Sequence, residues 1–145
     1  MLQSRRALPS FLVVAILLTT LLILWAMGRS PICPCGTVEL WHGKGEAGLS
    51  SQSLTDWYTP SHLLHGLIFY GALWLVARPV PLRWRLVIAA AVECGWEIVE
   101  NTEWVIDRYR TATISLDYNG DAVINSGVDI LFMLLGFALA RRLPV

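Results

Sequence analysis

Twenty residues at 8–27, LPSFLVVAILLTTLLILWAM, carry no charge and match the length at which a helix crosses the hydrocarbon core of a bilayer. Three further apolar stretches follow, at about 61–77 (SHLLHGLIFYGALWLVA), 86–106 (LVIAAAVECGWEIVENTEWVI) and 122–140 (AVINSGVDILFMLLGFALA). The last two are interrupted by acids, which weakens their hydropathy signal. The pattern predicts an all-α chain, a four-helix transmembrane bundle forming a single integral membrane domain over 1–145, with outer loops at 28–60 and 107–121.

The loops punctuate this pattern. The first has a stiff start, RSPICPCGTVELWHG, then a Gly- and Ser-rich middle, KGEAGLSSQS, which is expected to be mobile. It closes on DWYTP, where Trp57 and Tyr58 suit the membrane interface and Thr59-Pro60 reads as N-cap and first residue of the second span. In the second loop, alternation over 111–116 and an Asn119-Gly120 turn signal predict a small hairpin.

Composition agrees: 55% of the 145 residues are hydrophobic and 15% charged, with a mean hydropathy of +0.55. That is too apolar for an ordinary soluble domain. The net charge is zero, yet its distribution is polar along the chain. Arg5, Arg6, Arg78, Arg83, Arg85, Arg141 and Arg142 flank one set of span ends; Arg29, Lys44, Arg108 and Arg110 share the other with Glu39, Glu46, Asp56, Asp107, Asp117 and Asp121. The Lys/Arg excess predicts cytoplasmic termini for a multi-pass membrane protein. No concentrated basic footprint of a nucleic-acid binder is present. The segment MGRSPICPCG lacks a small-x-small cleavage pattern and a lipoprotein box, so 8–27 reads as an uncleaved signal anchor.

Chemistry is expected where charge is costly. Glu93, Glu97 and Glu100 lie within an arc of about 60° on the third span, since residues three and four apart stack on one helix face. His62 and His65 share a face in the first two turns of the second span, and Asn125 and Asp129 do so in the fourth. Three spans thus bring imidazole, carboxylate and amide to the same outer half of the bilayer. Four carboxylates there (Glu93, Glu97, Glu100 and Asp129) cannot all ionise without compensation. One answer is a divalent transition metal held by His65, Glu97, Asp129 and His62, with His65 the better-placed histidine. A second is metal-free acid/base or proton chemistry, with Glu97, Glu100 and Asp129 as catalytic groups. The third is a structural network, in which Arg108 and Arg110 fold back and helix register is all that is fixed. Glu93, Asn101 and Asn125 are supporting residues in each.

Cys33 and Cys35 face the oxidising side, where a disulfide or a partner-linked thiol pair is expected ahead of a metal site with His42, for which two Cys and one His are an incomplete set. Cys94 reads as a small packing residue. Trp25, Trp74, Trp84 and Trp104 fall near span ends, as interfacial aromatics do. Gly66, Gly71, Gly95, Gly127, Gly136 and the alanines at 89–91 are expected to permit close helix contact.

The strings LWAMGRSPICPCGTVELWHG, DWYTPSHLLHGLIFY, WEIVENT, DRYR, TISLDYNGD and NSGVD, in this order over nearly the whole chain, resemble the small bacterial membrane proteins grouped as domain-of-unknown-function family 2585, also called uncharacterised protein family 0314. The resemblance implies a multi-pass inner-membrane protein and supplies no activity. A fainter similarity to VanZ-like membrane proteins rests on Trp96-Glu97 and on Asn125, Asp129 and Gly136. There the Asn and Asp stand in the opposite order, so no role is carried over.

The functional readings are three. An enzyme would use the pocket for metal-assisted or acid/base chemistry on a lipid-linked or envelope substrate. A scaffold would use the outer loops to meet a protein partner or a second copy, with the bilayer as the common partner of both. A proton or solute carrier would need polar groups in the inner halves of the spans, which are almost purely apolar.

Overall fold

The computed structural model describes residues 2–42, 47–112 and 116–143, with the side chains of 2–6 and 47 left aside. Six helices occur among them: α1 (Leu2–Ala26), α2 (Ala47–Ser50), α3 (Thr59–Val76), α4 (Leu82–Glu100), α5 (Glu103–Ala112) and α6 (Val123–Ala140). The described residues hold no strand, only an isolated bridge between Trp41 and Thr55. Two helices, α1 at Ala7–Ala26 and α6 at Val123–Ala140, are long and apolar enough to cross a membrane.

The expected third span ends early. α4 stops at Glu100, and after a break at Asn101-Thr102 the chain resumes as the amphipathic α5. Asn101 turns its amide back onto the Glu97 carbonyl at 3.0 Å, competing with the helical ladder. Thr102 then accepts the Val105 N–H, while Glu103 in the first turn and Arg110 in the last suit the helix dipole. Glu103, Trp104 and Ile106 therefore leave the predicted span. Glu103 pairs with Arg29 at 2.6 Å, Trp104 is exposed and Ile106 is buried.

The start of α3 is capped by Asp56 rather than by Thr59. The Asp56 carboxylate accepts the N–H groups of Tyr58 and Thr59 at 2.7 and 3.0 Å, and the Thr59 hydroxyl accepts the Asp56 N–H at 2.9 Å. This reciprocal exchange satisfies donors that a helix start leaves unpaired.

The Gly- and Ser-rich middle of the first loop packs where mobility was expected. Ala47–Ser50 makes a helical turn, Ser50, Ser51 and Ser53 are buried, and Gln52 donates to the Gly120 carbonyl at 2.8 Å. Gly48 permits this, since a Cβ there would lie 2.4 Å from the Asp117 carbonyl oxygen. The hairpin expected at 111–116 does not form at its start, because Thr111 and Ala112 are the last residues of α5. The remainder at 113–115, with Lys44 and Glu46, lies outside the described residues.

α3 packs most closely on α6 and α1 on α4. The α3–α6 contact is backbone to backbone: a Cβ on Gly66 would stand 2.1 Å from the Met133 carbonyl oxygen, and one on Gly136 would stand 2.0 Å from that of Leu63. Small residues allow this approach. Gly71 and Gly95 do not share the role, since a Cβ there would meet nothing within 4 Å. A turn above Gly66, His62 lies beside Asp129 of α6, so these two helices run in the same direction.

Polarity is inverted relative to a water-soluble bundle. Glu93, Glu97, Asn101, Asn125, Ser126 and Asp129 are buried, whereas Phe11, Leu18 and Leu22 of α1, Leu64, Ile68 and Leu75 of α3, Ile88, Val92 and Trp96 of α4, and Leu131, Leu135 and Leu139 of α6 are exposed.

Candidate functional site

Three helices meet at His62. Its Nδ1 lies 2.6 Å from Glu93 Oε1, within hydrogen-bond reach, and 3.5 Å from Glu97 Oε1; its Nε2 lies 3.7 Å from Asp129 Oδ2. His65, one turn on, brings Nδ1 to 3.1 Å from Glu93 Oε2, with the two imidazole rings edge to face at 5.1 Å. His62, Glu93, Glu97 and Asp129 are buried, and His65 and Glu100 are half-buried. Ligand atoms of His62, His65 and Glu93 all lie within 4.8 Å of one another, as do those of His62, Glu97 and Glu100.

The sequence pattern thus gathers His62, His65, Glu93, Glu97, Glu100 and Asp129 in one place, but with His62 rather than His65 at the centre. Glu93, expected to support, stands between the two histidines. The two triads differ in satisfaction. In the inner one, a single carboxylate faces two imidazoles within hydrogen-bond distance. On the outer side, Glu97 Oε1 and Asp129 Oδ1 are buried with no hydrogen-bond partner, and so is Asn125 Oδ1, although the Asn125 amide donates to the Ser53 carbonyl at 3.0 Å. An unpaired buried carboxylate oxygen is costly and normally has a donor or a cation beside it.

Hydroxyls and an indole surround the carboxylates. Ser126 neighbours Glu97, Thr59 neighbours Asp129, and both Trp96 and Tyr109 neighbour Glu100. Of these, Trp96 could be found from the sequence, one position before Glu97; Ser126 and Thr59 gave no signal beyond being small and polar. The arginines expected to fold back do not reach the acids. Arg110 donates to the Tyr118 carbonyl at 2.7 Å and to the Asn119 side chain, and Arg108 is exposed.

Asn101 belongs to an adjoining knot at the α4–α5 junction. It accepts the Asp121 N–H at 2.8 Å and donates to the Asp121 carboxylate at 3.1 Å, which also accepts the Tyr118 hydroxyl at 3.1 Å. Burial, reinforced by the negative Glu100, Asp56 and Asp129, pushes the Asp121 carboxyl well above the usual carboxylate range. Burial and the neighbouring Asp121 push the Tyr118 phenol up as well.

Cys33 and Cys35 are joined in a disulfide with 5.1 Å between their Cα atoms, and His42 pairs with Glu39 at 3.0 Å, so these three do not form a metal site. Cys94 is buried, with Thr20 as a neighbour.

Residues 24–145 match the family described as a protein of unknown function, DUF2585. The chain is 59% identical over 145 residues to a UPF0314 protein of Paracoccus denitrificans, covering 98% of this chain and 74% of that one. A UPF0314 protein of Rhizobium etli is 52% identical over 132 residues, with 91% and 68% covered, and one of Novosphingobium aromaticivorans 51% identical over 133 residues, with 88% and 67% covered. No solved structure matches. With the family match over most of its length and these identities, the chain belongs to the DUF2585 (UPF0314) family of proteins of unknown function.

Proposed function

We propose that this is a four-span bacterial inner-membrane protein, with both termini cytoplasmic, whose outward-facing His/carboxylate cluster binds a divalent transition metal. The membrane reading is supported by the inverted polarity of α1, α3, α4 and α6: each turns a stripe of large apolar side chains outward, as lipid-facing helices do, while acids lie inside. At 18 and 19 residues, α3 and α4 are about 27–29 Å long, close to the hydrocarbon thickness. The exposed Trp57, Tyr58 and Trp104 lie beyond the end that carries the acids, where an aromatic belt would sit.

The metal reading rests on one observation: two buried carboxylate oxygens, Glu97 Oε1 and Asp129 Oδ1, flank His62 without a partner. Glu97 Oε1 stands 3.5 Å from Nδ1, the nitrogen that Glu93 holds, and the other Asp129 oxygen, Oδ2, stands 3.7 Å from Nε2; both are beyond a hydrogen bond, and the second is near the roughly 3–3.5 Å between ligand atoms of an ion bound at about 2.0–2.2 Å. Glu93 holds His62 Nδ1, the arrangement in which a carboxylate orients a metal-binding imidazole and leaves Nε2 for the ion. His62, Glu97, Glu100 and Asp129 would be the ligands, Glu93 the orienting group, and His65 a second donor to Glu93. Such an ion would polarise an oxygen or activate a water, and a site at the depth of the outer leaflet suits a lipid-linked or envelope substrate.

Protein purified without chelators or affinity metals and offered Mn²⁺, Fe²⁺ or Zn²⁺ is expected to retain near-stoichiometric ion by elemental analysis. His62→Ala and Asp129→Ala are expected to lose it while still eluting as folded protein. A wild-type protein that stays metal-free after reloading would sink the proposal and leave the scaffold reading, in which Glu97→Gln and Asp129→Asn change assembly alone.

A further inference from the structure

At the opposite end of the bundle, α4 and α6 enclose a cavity of about 460 Å³ whose lining includes Arg83, Arg141 and Arg142 with Leu86, Leu134 and Phe137. Among the described residues no acidic side chain answers its charge. No Asp or Glu occurs between Asp56 and Glu93 or after Asp129, so every acid is on the far side of the bundle core or beyond it. Among the described residues none of the three guanidiniums has an ion-pair partner, whereas Arg78, outside the cavity, stacks on Trp74 at 4.1 Å. Three uncompensated cations above an apolar wall make a site for a molecule that is anionic at one end and hydrocarbon at the other.

We infer that this cavity binds the headgroup of an anionic phospholipid, with Arg83, Arg141 and Arg142 on the phosphate and an acyl chain along Leu86, Leu134 and Phe137. The apolar wall selects a lipid over free phosphate, which would leave it wet. Guanidiniums bind phosphate oxygens through paired N–H donors, which a headgroup offering both a phosphate and a net charge can engage. The inference rests on the four-span reading only in placing the site at the cytoplasmic leaflet; the contact itself is independent of leaflet.

The test is retention of lipid by the intact protein in detergent, read by native mass spectrometry and by the shift of thermal unfolding on adding phosphatidylglycerol, cardiolipin or phosphatidylcholine. The anionic lipids are expected to bind at least tenfold more tightly than phosphatidylcholine, and more weakly as salt is raised. Each of Arg83→Gln, Arg141→Gln and Arg142→Gln is expected to weaken binding about fivefold, and Arg78→Gln to leave it unchanged. Equal binding of phosphatidylcholine would overturn the inference without recourse to any variant. Inorganic phosphate that competes as well as the lipid would replace it with a free-anion site. Impermeant thiol labelling of a cysteine placed at position 80 separately reports the leaflet: labelling from outside would overturn the topology while leaving the lipid contact standing.

Discussion

Substituting alanine for glycine at two positions of α3 is expected to have opposite effects, and the difference can be worked from the packing. In a helix interior Gly→Ala gains about 1 kcal/mol of propensity. At Gly71 nothing lies within 4 Å of the added methyl, so that gain stands. At Gly66 the methyl would sit 2.1 Å from the Met133 carbonyl oxygen and 2.5 Å from the Phe137 nitrogen, both backbone atoms of a packed helix. Non-bonded contacts settle at about 3.5 Å, so α3 and α6 must part by more than about 1 Å. Overpacking costs about 1–3 kcal/mol and the immovable partners put Gly66 at the upper end, for a net loss of about 2 kcal/mol. The separation also carries His62, one turn away, out of reach of Asp129, so metal retention should fall with stability. Unfolding of the purified variants in detergent, followed by circular dichroism against temperature, measures the difference, and elemental analysis follows the site. A Gly66→Ala protein as stable as Gly71→Ala would refute the backbone contact, and with it the way the site is held together.

Asp56→Ala removes the cap of α3 and is expected to cost about 1 kcal/mol, with Asp56→Asn retaining most of it, as read by the same unfolding measurement. Asp121 gives a pH signature. Its carboxyl is held above an unfolded value of about 4, so the folded state keeps the proton longer; the stabilisation is complete below about pH 4 and drains away as pH rises towards the folded value. Asp121→Asn, neutral at every pH, should flatten that part of the decline above about pH 4, and an unchanged slope would count against the burial of this group.

Much of the bundle was legible because a long apolar stretch has a one-dimensional signature, and a polar group inside one stands out. Glu93, Glu97 and Asp129 stood out in that way, and the shared helix face of His62 and His65 followed from spacing. The boundary between α4 and α5 was not legible, since the Asn101 side chain that turns back onto the Glu97 carbonyl is also bonded to Asp121 twenty positions away. Asp56 was readable in principle from its place three residues before Thr59-Pro60, but Thr59 itself competes as a cap. The packed serine segment was hidden for a different reason: Gly48, Ser51 and Gln52 have flexible-loop composition, and only their contacts with Asp117, Gly120 and Ala122 fix them.

The sequence by itself determined the all-helical character, the charge separation between the two ends and the residues that had to find partners, because apolar length and the cost of a buried charge act locally. Only the tertiary structure decided that His62 rather than His65 is central, that Glu93 orients while Glu97 and Asp129 are left with unpaired oxygens, and that Arg110 turns to Tyr118 and Asn119 instead of the acids. Those outcomes depend on how far two helices can approach, and at the α3–α6 crossing that distance is set by the absence of two side chains, at Gly66 and Gly136.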